Sequence, residues 1–292
     1  MPGLSMELHA ASASESNADE LEATLYFRYM DQPMLAAESR TLTVRRDESG
    51  EFALIRALLE GPAARHIELN RLFPEAVQVE SVAVSGDMLF VTFNEALISN
   101  NEIPEDWKGR AEWAEEAPLL RRLAIQSIVA SITETFHYTG VQILVSSGDA
   151  AQTSLRLDNS YFLSGQSGPS DPQLRDESVL LTPQNTARCI LNAWQRRNFE
   201  TLFDYTSARN ADSPRPVYEN FLKELDPCPS LSGYALTGGS VSLDGQRAVV
   251  TVSLSMHKDG IAGEIPAYPL HLVRENGLWK VAYTTLQDMM MR

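Results

Sequence analysis

Residues 77–97, VQVESVAVSGDMLFVTFNEAL, constrain this chain more than any other stretch. Two runs rich in β-forming residues flank Ser85-Gly86-Asp87, where the glycine permits the positive φ that a tight reversal needs. The pattern predicts a hairpin in which Val82 and Val84 share an inner face with Leu89, Val91 and Phe93. That face needs cover, because apolar surface of this extent is costly in water.

Two helical patterns supply it. Ser49 can cap a helix in which Phe52, Ile55, Leu58 and Leu59 recur at helical spacing, and Gly61 and Pro62 end it. A longer helix, from about Pro118 to Phe136, carries Leu120, Ala124, Ile128, Ile132 and Phe136 at i, i+4 steps. Leu123, Ile125 and Val129 broaden its stripe beyond what a solvated helix would carry. Alternating runs at 23–30 and 39–45 predict strands around a turn at Asp31-Gln32-Pro33, and 141–147 predicts another strand. The first half therefore reads as an α+β unit with helices packed on one side of a sheet.

Between the hairpin and the long helix, residues 98–118 hold six acids, two bases, Trp107 and Trp113. Two readings stand. The tryptophans could form a partner-binding hot spot, or fold back as a lid over the sheet, where burial of the rings contributes.

Residues 148–180, rich in Ser, Gly, Asp and Pro, read as an interdomain connection, with Tyr161, Phe162 and Leu163 as anchors to the first domain. Thr182-Pro183 then opens a helix with Ala187, Ile190, Leu191 and Trp194 on one face. Shorter helices are expected around 199–206 and 217–225, the latter with Tyr218, Phe221, Leu222 and Leu225 on one face. After Pro227-Cys228-Pro229 the chain reads as strands at 233–243, 246–257, 265–274 and 277–286, with hairpin dipeptides at Asp244-Gly245 and Asn276-Gly277. The methionines of the terminal DMMMR suit an adaptable contact or a disordered tail.

A chain of 292 residues, 43% hydrophobic, is long enough for two domains. Its 39 acids against 24 bases, net −15, argue against nucleic acid and disfavour an anionic partner surface. No run of roughly 18 apolar residues exists, the length a spanning helix needs. Residues 1–20 read as a flexible leader, either an ordinary N-terminus or the tether behind a lipid-attachment cysteine. Cys189 and Cys228 could pair or stand as separate thiols. The five histidines occur singly, without HExxH spacing, and TGGS at 237–240 lacks the lysine of a phosphate loop. No metal or cofactor is expected.

Taken in order, ALLEGP, RLFPEAVQVESVAVSGDMLFVTFNEAL, LRRLAIQSIVASITETF and VQILV resemble the GerMN domain of sporulation, germination and envelope lipoproteins, over residues 21–147. The resemblance implies a non-catalytic domain of extracytoplasmic, often lipid-anchored proteins, some similar to ring-building modules. Residues 181–292, three helices before a curved antiparallel sheet ending in LHLVRENGLWKVAY, resemble the nuclear-transport-factor-two-like, SnoaL-like and ketosteroid-isomerase-like cone. Some relatives of that cone are enzymes with an Asp base and a Tyr or Asp partner. Asp204, Tyr205, Tyr218, Tyr234 and His271 are the candidate pocket residues on that analogy, against the plainer reading of a solvated cap and packed rings. The expectation is a non-enzymatic, envelope-associated protein that binds an envelope protein or cell-wall component and can self-associate. Its membrane contact would be only through an N-terminal lipid anchor. The alternative is a cone that holds a small ligand or acts as an isomerase.

Overall fold

The computed structural model describes residues 19–99, 103–104, 106–147, 153–258 and 260–292. All but the last two residues of the expected leader lie outside them.

The architecture is α+β, with three sheets among the described residues. β1 (Asp19–Tyr29) pairs antiparallel with β2 (Leu35–Val44), in register from Asp19↔Val44 to Arg28↔Leu35. α1 (Gly50–Glu60) follows, capped by Ser49, whose side chain accepts the Phe52 N–H at 3.3 Å. Gly61, at φ 96°, ends it. β3 (Leu69–Asn70) joins the far side of β1 at its last two residues only.

The predicted hairpin is β4 (Val79–Ser85) and β5 (Met88–Phe93), with Val82 opposite Val91 and Val84 opposite Leu89. Leu89, Val91 and Phe93 are fully buried, whereas Val84 stays exposed beside the turn of the outer strand. α2 (Ala111–Thr135) then crosses to β6 (Gly140–Ser146), which lies parallel to β5. This helix begins seven residues before Pro118, which sits inside it instead of opening it. The interior proline forfeits one helical hydrogen bond, and the added turns bring Trp113 and the buried Ala117 onto the helix.

Much of the stretch expected as a connection adds to this sheet. β7 (Ser154–Arg156) and β8 (Gln173–Leu174) both pair with β6, and Tyr161 is buried against the first-half core. The polar composition that suggested a linker reflects tight turns: the Asp158 carboxylate accepts the backbone N–H groups of Ser160 and Gly168.

α2 also closes the open side of β1. There β3 pairs only with the end of the strand, and helix hydroxyls do the rest. The Thr24 N–H donates to Thr135 Oγ1 at 3.2 Å, the Tyr26 N–H donates to Ser131 Oγ at 2.9 Å, and Ser127 Oγ donates to the Tyr26 carbonyl at 2.6 Å. Ser127, Ser131 and Thr135 stand four residues apart, so one helix stripe takes the place of a neighbouring strand.

The second half runs α3 (Pro183–Gln195), α4 (Phe199–Asp204), α5 (Tyr218–Leu225), then the antiparallel sheet β9 (Ser230–Val241), β10 (Arg247–Lys258), β11 (Ile261–Glu275) and β12 (Leu278–Val281) in sequential order. The Thr182 side chain caps α3 as expected. The final strand stops at Val281 and α6 (Tyr283–Met290) replaces the rest of the expected strand and the tail. Tyr283, Leu286, Met289 and Met290 recur at helical spacing and are buried, a period masked by the apolar run before it. Cys189 and Cys228 are separate free thiols.

One continuous set of buried side chains runs through both halves. Across the boundary the Leu181 N–H donates to the Leu35 carbonyl at 2.8 Å, and the β11–β12 turn abuts β2, where a Cβ on Gly277 would stand 3.2 Å from the Ala37 oxygen.

Candidate functional site

One cluster of buried ionisable groups lies at this boundary. Tyr29, at the end of β1, is fully buried and donates its hydroxyl to the Asp204 backbone carbonyl at 2.7 Å. Its ring packs against Tyr205, also fully buried, with centroids 5.2 Å apart. Lys280 of β12 is buried and forms an ion pair with Glu68, just before β3, while its ammonium lies 5.9 Å from the Tyr29 ring centroid. The two halves thus each supply one charge of a shielded pair.

Burial shapes the protonation of this cluster. Desolvation and the neighbouring Glu200 charge push Asp204 up to about 6, with Lys280 and Arg215 opposing. Burial raises Tyr29, with the Glu68 and Asp204 charges adding to it, and burial also raises Tyr205. The Cys189 thiol beside Tyr205 is likewise raised by burial. Raised thiols and phenols are poor nucleophiles at neutral pH, so Tyr29, Tyr205 and Cys189 stay neutral in a packed core.

The five candidate pocket residues are dispersed. Asp204 and Tyr205 belong to the boundary cluster. Tyr218 is partly exposed on α5, its ring edge-on to Phe203 at 5.3 Å. Tyr234, on β9, donates its hydroxyl to Asn192 Oδ1 of α3 at 2.7 Å. His271 is exposed on β11, in a cavity of about 490 Å³ that none of the other four lines. Between α3, α5, α6 and the sheet, the space a cone would offer a ligand is packed with Leu191, Trp194, Phe221, Val252, Leu270 and Leu286, all without solvent exposure.

Trp107 is half-buried in a 3-10 turn, Trp107–Gly109, with Lys108 over its ring. Trp113 is half-buried on α2 and lines a cavity of about 140 Å³ with Phe73, Leu97, Ile103 and Tyr161. Among the described residues no group of three or more His, Cys, Asp or Glu could hold a metal ion, and no helix is long and apolar enough to cross a membrane.

Sequence reasoning missed Tyr29, Glu68 and Lys280. The available signal was LWKV: apolar residues on both faces of β12 mark a strand covered on both sides, which leaves its lysine in need of a buried carboxylate.

Residues 24–148 match the family Germane, described as sporulation and spore germination. The first half is thus similar to the Germane family. Its parallel β5–α2–β6 crossover, the hairpin before it and the covering α1 all fall inside the match, which takes in somewhat under half of the chain. No curated protein matches. Among solved structures, the tandem GerMN domains of the sporulation protein GerM from Bacillus subtilis are 16% identical, with TM-score 0.36, over 59% of this chain and 50% of that one. The chain therefore spans about half the length of that relative. The first GerMN domain of the same protein gives 14% identity and TM-score 0.33, over 53% of this chain and 98% of that one. A structure described as a lipoprotein from Clostridium perfringens gives 22% identity and TM-score 0.25, over 44% of this chain and 76% of that one.

Proposed function

We propose that this protein is a non-catalytic, extracytoplasmic interaction protein of the cell envelope, acting in sporulation or germination. The observation that carries the reading is the Germane match over residues 24–148. Its partner is an envelope protein or cell-wall component, self-association is a second mode, and nucleic acid is not a partner. The N-terminal stretch serves as a tether to a lipid anchor, the protein's only membrane contact.

The second half is a nuclear-transport-factor-two-like domain on this reading, supported by the order α3–α4–α5 followed by β9–β12. A packed interior supports a docking role for it over a catalytic one. The rival reading, a small-ligand or isomerase site, has one observation in its favour, the raised Asp204. That group lies beside Glu68 and Lys280 at the boundary of the halves.

The test is fractionation of the native organism together with capture from envelope extract by the full chain. Recovery in the envelope fraction with a reproducible partner is expected. Recovery in the cytoplasm with no partner would sink the proposal.

A further inference from the structure

Within a chain of net charge −15 the cations are unevenly committed. Among the described residues nine arginines form ion pairs with carboxylates. Arg65, Arg209, Arg247 and Arg274 form none, and all four line two adjoining cavities of about 490 and 610 Å³. The cavities share Arg209, Gln246 and Arg274, so they make one groove. One wall belongs to the first half through Ala37, Ser39, Arg65 and His66, and the other to the second half.

The guanidinium groups are held in place and keep donors to spare. Arg209 Nη1 donates to Asn276 Oδ1 at 2.9 Å, Arg274 Nε donates to the Gly277 carbonyl at 3.2 Å, and Arg65 Nε donates to His66 Nε2 at 3.1 Å. Each guanidinium carries five N–H donors, so most remain for a ligand. The carboxylates lining the groove are Asp212 and Glu275. Glu275 is already engaged, accepting the Ser207 hydroxyl at 2.5 Å and the Arg209 N–H at 3.0 Å. Asp244, beside Arg247, accepts from the Ser242 hydroxyl and the Gln246 N–H. The groove therefore has more free positive charge than negative.

Its floor includes the outer edge of β2. The carbonyls of Leu35, Ser39 and Thr43 accept from Leu181, Arg65 and Arg56, all outside the sheet, so the odd-numbered positions of β2 turn their backbone away from β1. Ala37 and Ser39, two of these positions, line the groove.

We propose that this groove binds an acidic, extended peptide segment of a protein partner. Its carboxylates pair with Arg65, Arg209 and Arg274, and its backbone lies beside the outer edge of β2 at Ala37 and Ser39. This deepens the reading of the protein as an interaction module and rests on it. A short acidic peptide fits better than a phosphate polymer or nucleic acid. Repulsion from the chain's overall charge grows with ligand charge, whereas contacts inside the groove are screened least.

The test titrates the full chain into a fluorescein-labelled peptide of alternating Glu and Val, followed by anisotropy. The Gln-Val counterpart and polyphosphate are parallel probes. The Glu peptide binds, the Gln peptide binds at least about tenfold more weakly, and added salt weakens the Glu peptide. Arg209→Ala with Arg274→Ala costs at least about tenfold, while Arg156→Ala, on the exposed strand β7, leaves binding unchanged. Arg65→Ala supplies an independent variant should the double one misfold. Absence of Glu-peptide binding, or equal binding by folded groove variants, overturns the proposal. So does tighter, arginine-dependent binding of polyphosphate. In the envelope capture, a partner held equally by wild type and groove variants overturns the groove alone. Capture of nothing by wild type overturns the interaction reading, and the peptide titration still decides the groove.

Discussion

Replacing Ser131 by alanine tests whether a helix stripe can stand in for a β-strand. The Ser131 hydroxyl is fully buried and does two things: it donates to the Ser127 carbonyl at 2.7 Å and accepts the Tyr26 N–H at 2.9 Å. The helix carbonyl keeps its own backbone partner, so losing the first bond costs little. The Tyr26 N–H has no alternative, since it faces away from β2 and β3 begins its pairing only at Arg28. A buried donor left without an acceptor costs about 1–3 kcal/mol, and the removed oxygen leaves too little room for water to replace it. Ser131→Ala is therefore expected to destabilise by about 2 kcal/mol, and Ser127→Ala by less, because a carbonyl tolerates under-satisfaction better than an N–H does. Ser131→Thr, which keeps the oxygen, should recover most of the loss. Urea denaturation followed by far-UV circular dichroism reads the change as a shift in midpoint at constant slope. A Ser131→Ala protein within about 0.5 kcal/mol of wild type would refute the claim that α2 hydroxyls satisfy the β1 edge, since that is the scatter of neutral surface changes.

Glu68→Ala leaves the Lys280 ammonium buried without its carboxylate and is expected to cost about 3–5 kcal/mol, while Glu68→Ala combined with Lys280→Met recovers most of that in the same denaturation assay. Asp204 carries the opposite pH signature to a salt-bridged acid. Its folded-state pKa of about 6 lies above the ordinary 3.8, so the folded state binds the proton more tightly. That contribution is complete below the ordinary value and is lost as the pH rises through about 6. The Tm advantage of Asp204→Asn over wild type should accordingly grow from about pH 4 to about pH 7 and then level off, and a difference constant across that window would contradict the assignment. Met289→Ala and Met290→Ala each empty a fully buried site under α6, with an expected loss of about 2–5 kcal/mol by thermal denaturation; a neutral result would mean the terminal helix does not pack.

Much of this architecture is legible in the sequence where a single periodicity rules. The hairpin about Gly86, the capped helix ending at Gly61 and the alternating strand β10 declare themselves because one face is buried and the other is not. Legibility fails where a residue's partner is remote. Ser127 and Ser131 look like solvated positions until β1, about a hundred residues earlier, is brought against them. Residues 153–180 look like linker because short edge strands closed by Asx turns share the composition of a disordered connector. At the C-terminus an apolar run followed at once by a helix hides the change of period from two to 3.6, and the strand reading runs on past Val281.

The five candidate pocket residues lie apart in the fold for a related reason. An enzyme-bearing fold would gather Asp204, Tyr205, Tyr218, Tyr234 and His271, yet three lie in separate places and two at the boundary with the first half. That boundary gives the two halves their meaning together. Lys280 and Glu68 come from opposite halves, Tyr29 covers Tyr205, and the arginine groove has a wall from each. Separating the halves would expose two large aromatic rings and strand a buried lysine, so each half should lose stability when produced alone. The second half alone keeps Arg209, Arg247 and Arg274 but lacks the wall of Ala37, Ser39, Arg65 and His66, so acidic-peptide binding is expected to be weaker for that half produced alone than for the full chain.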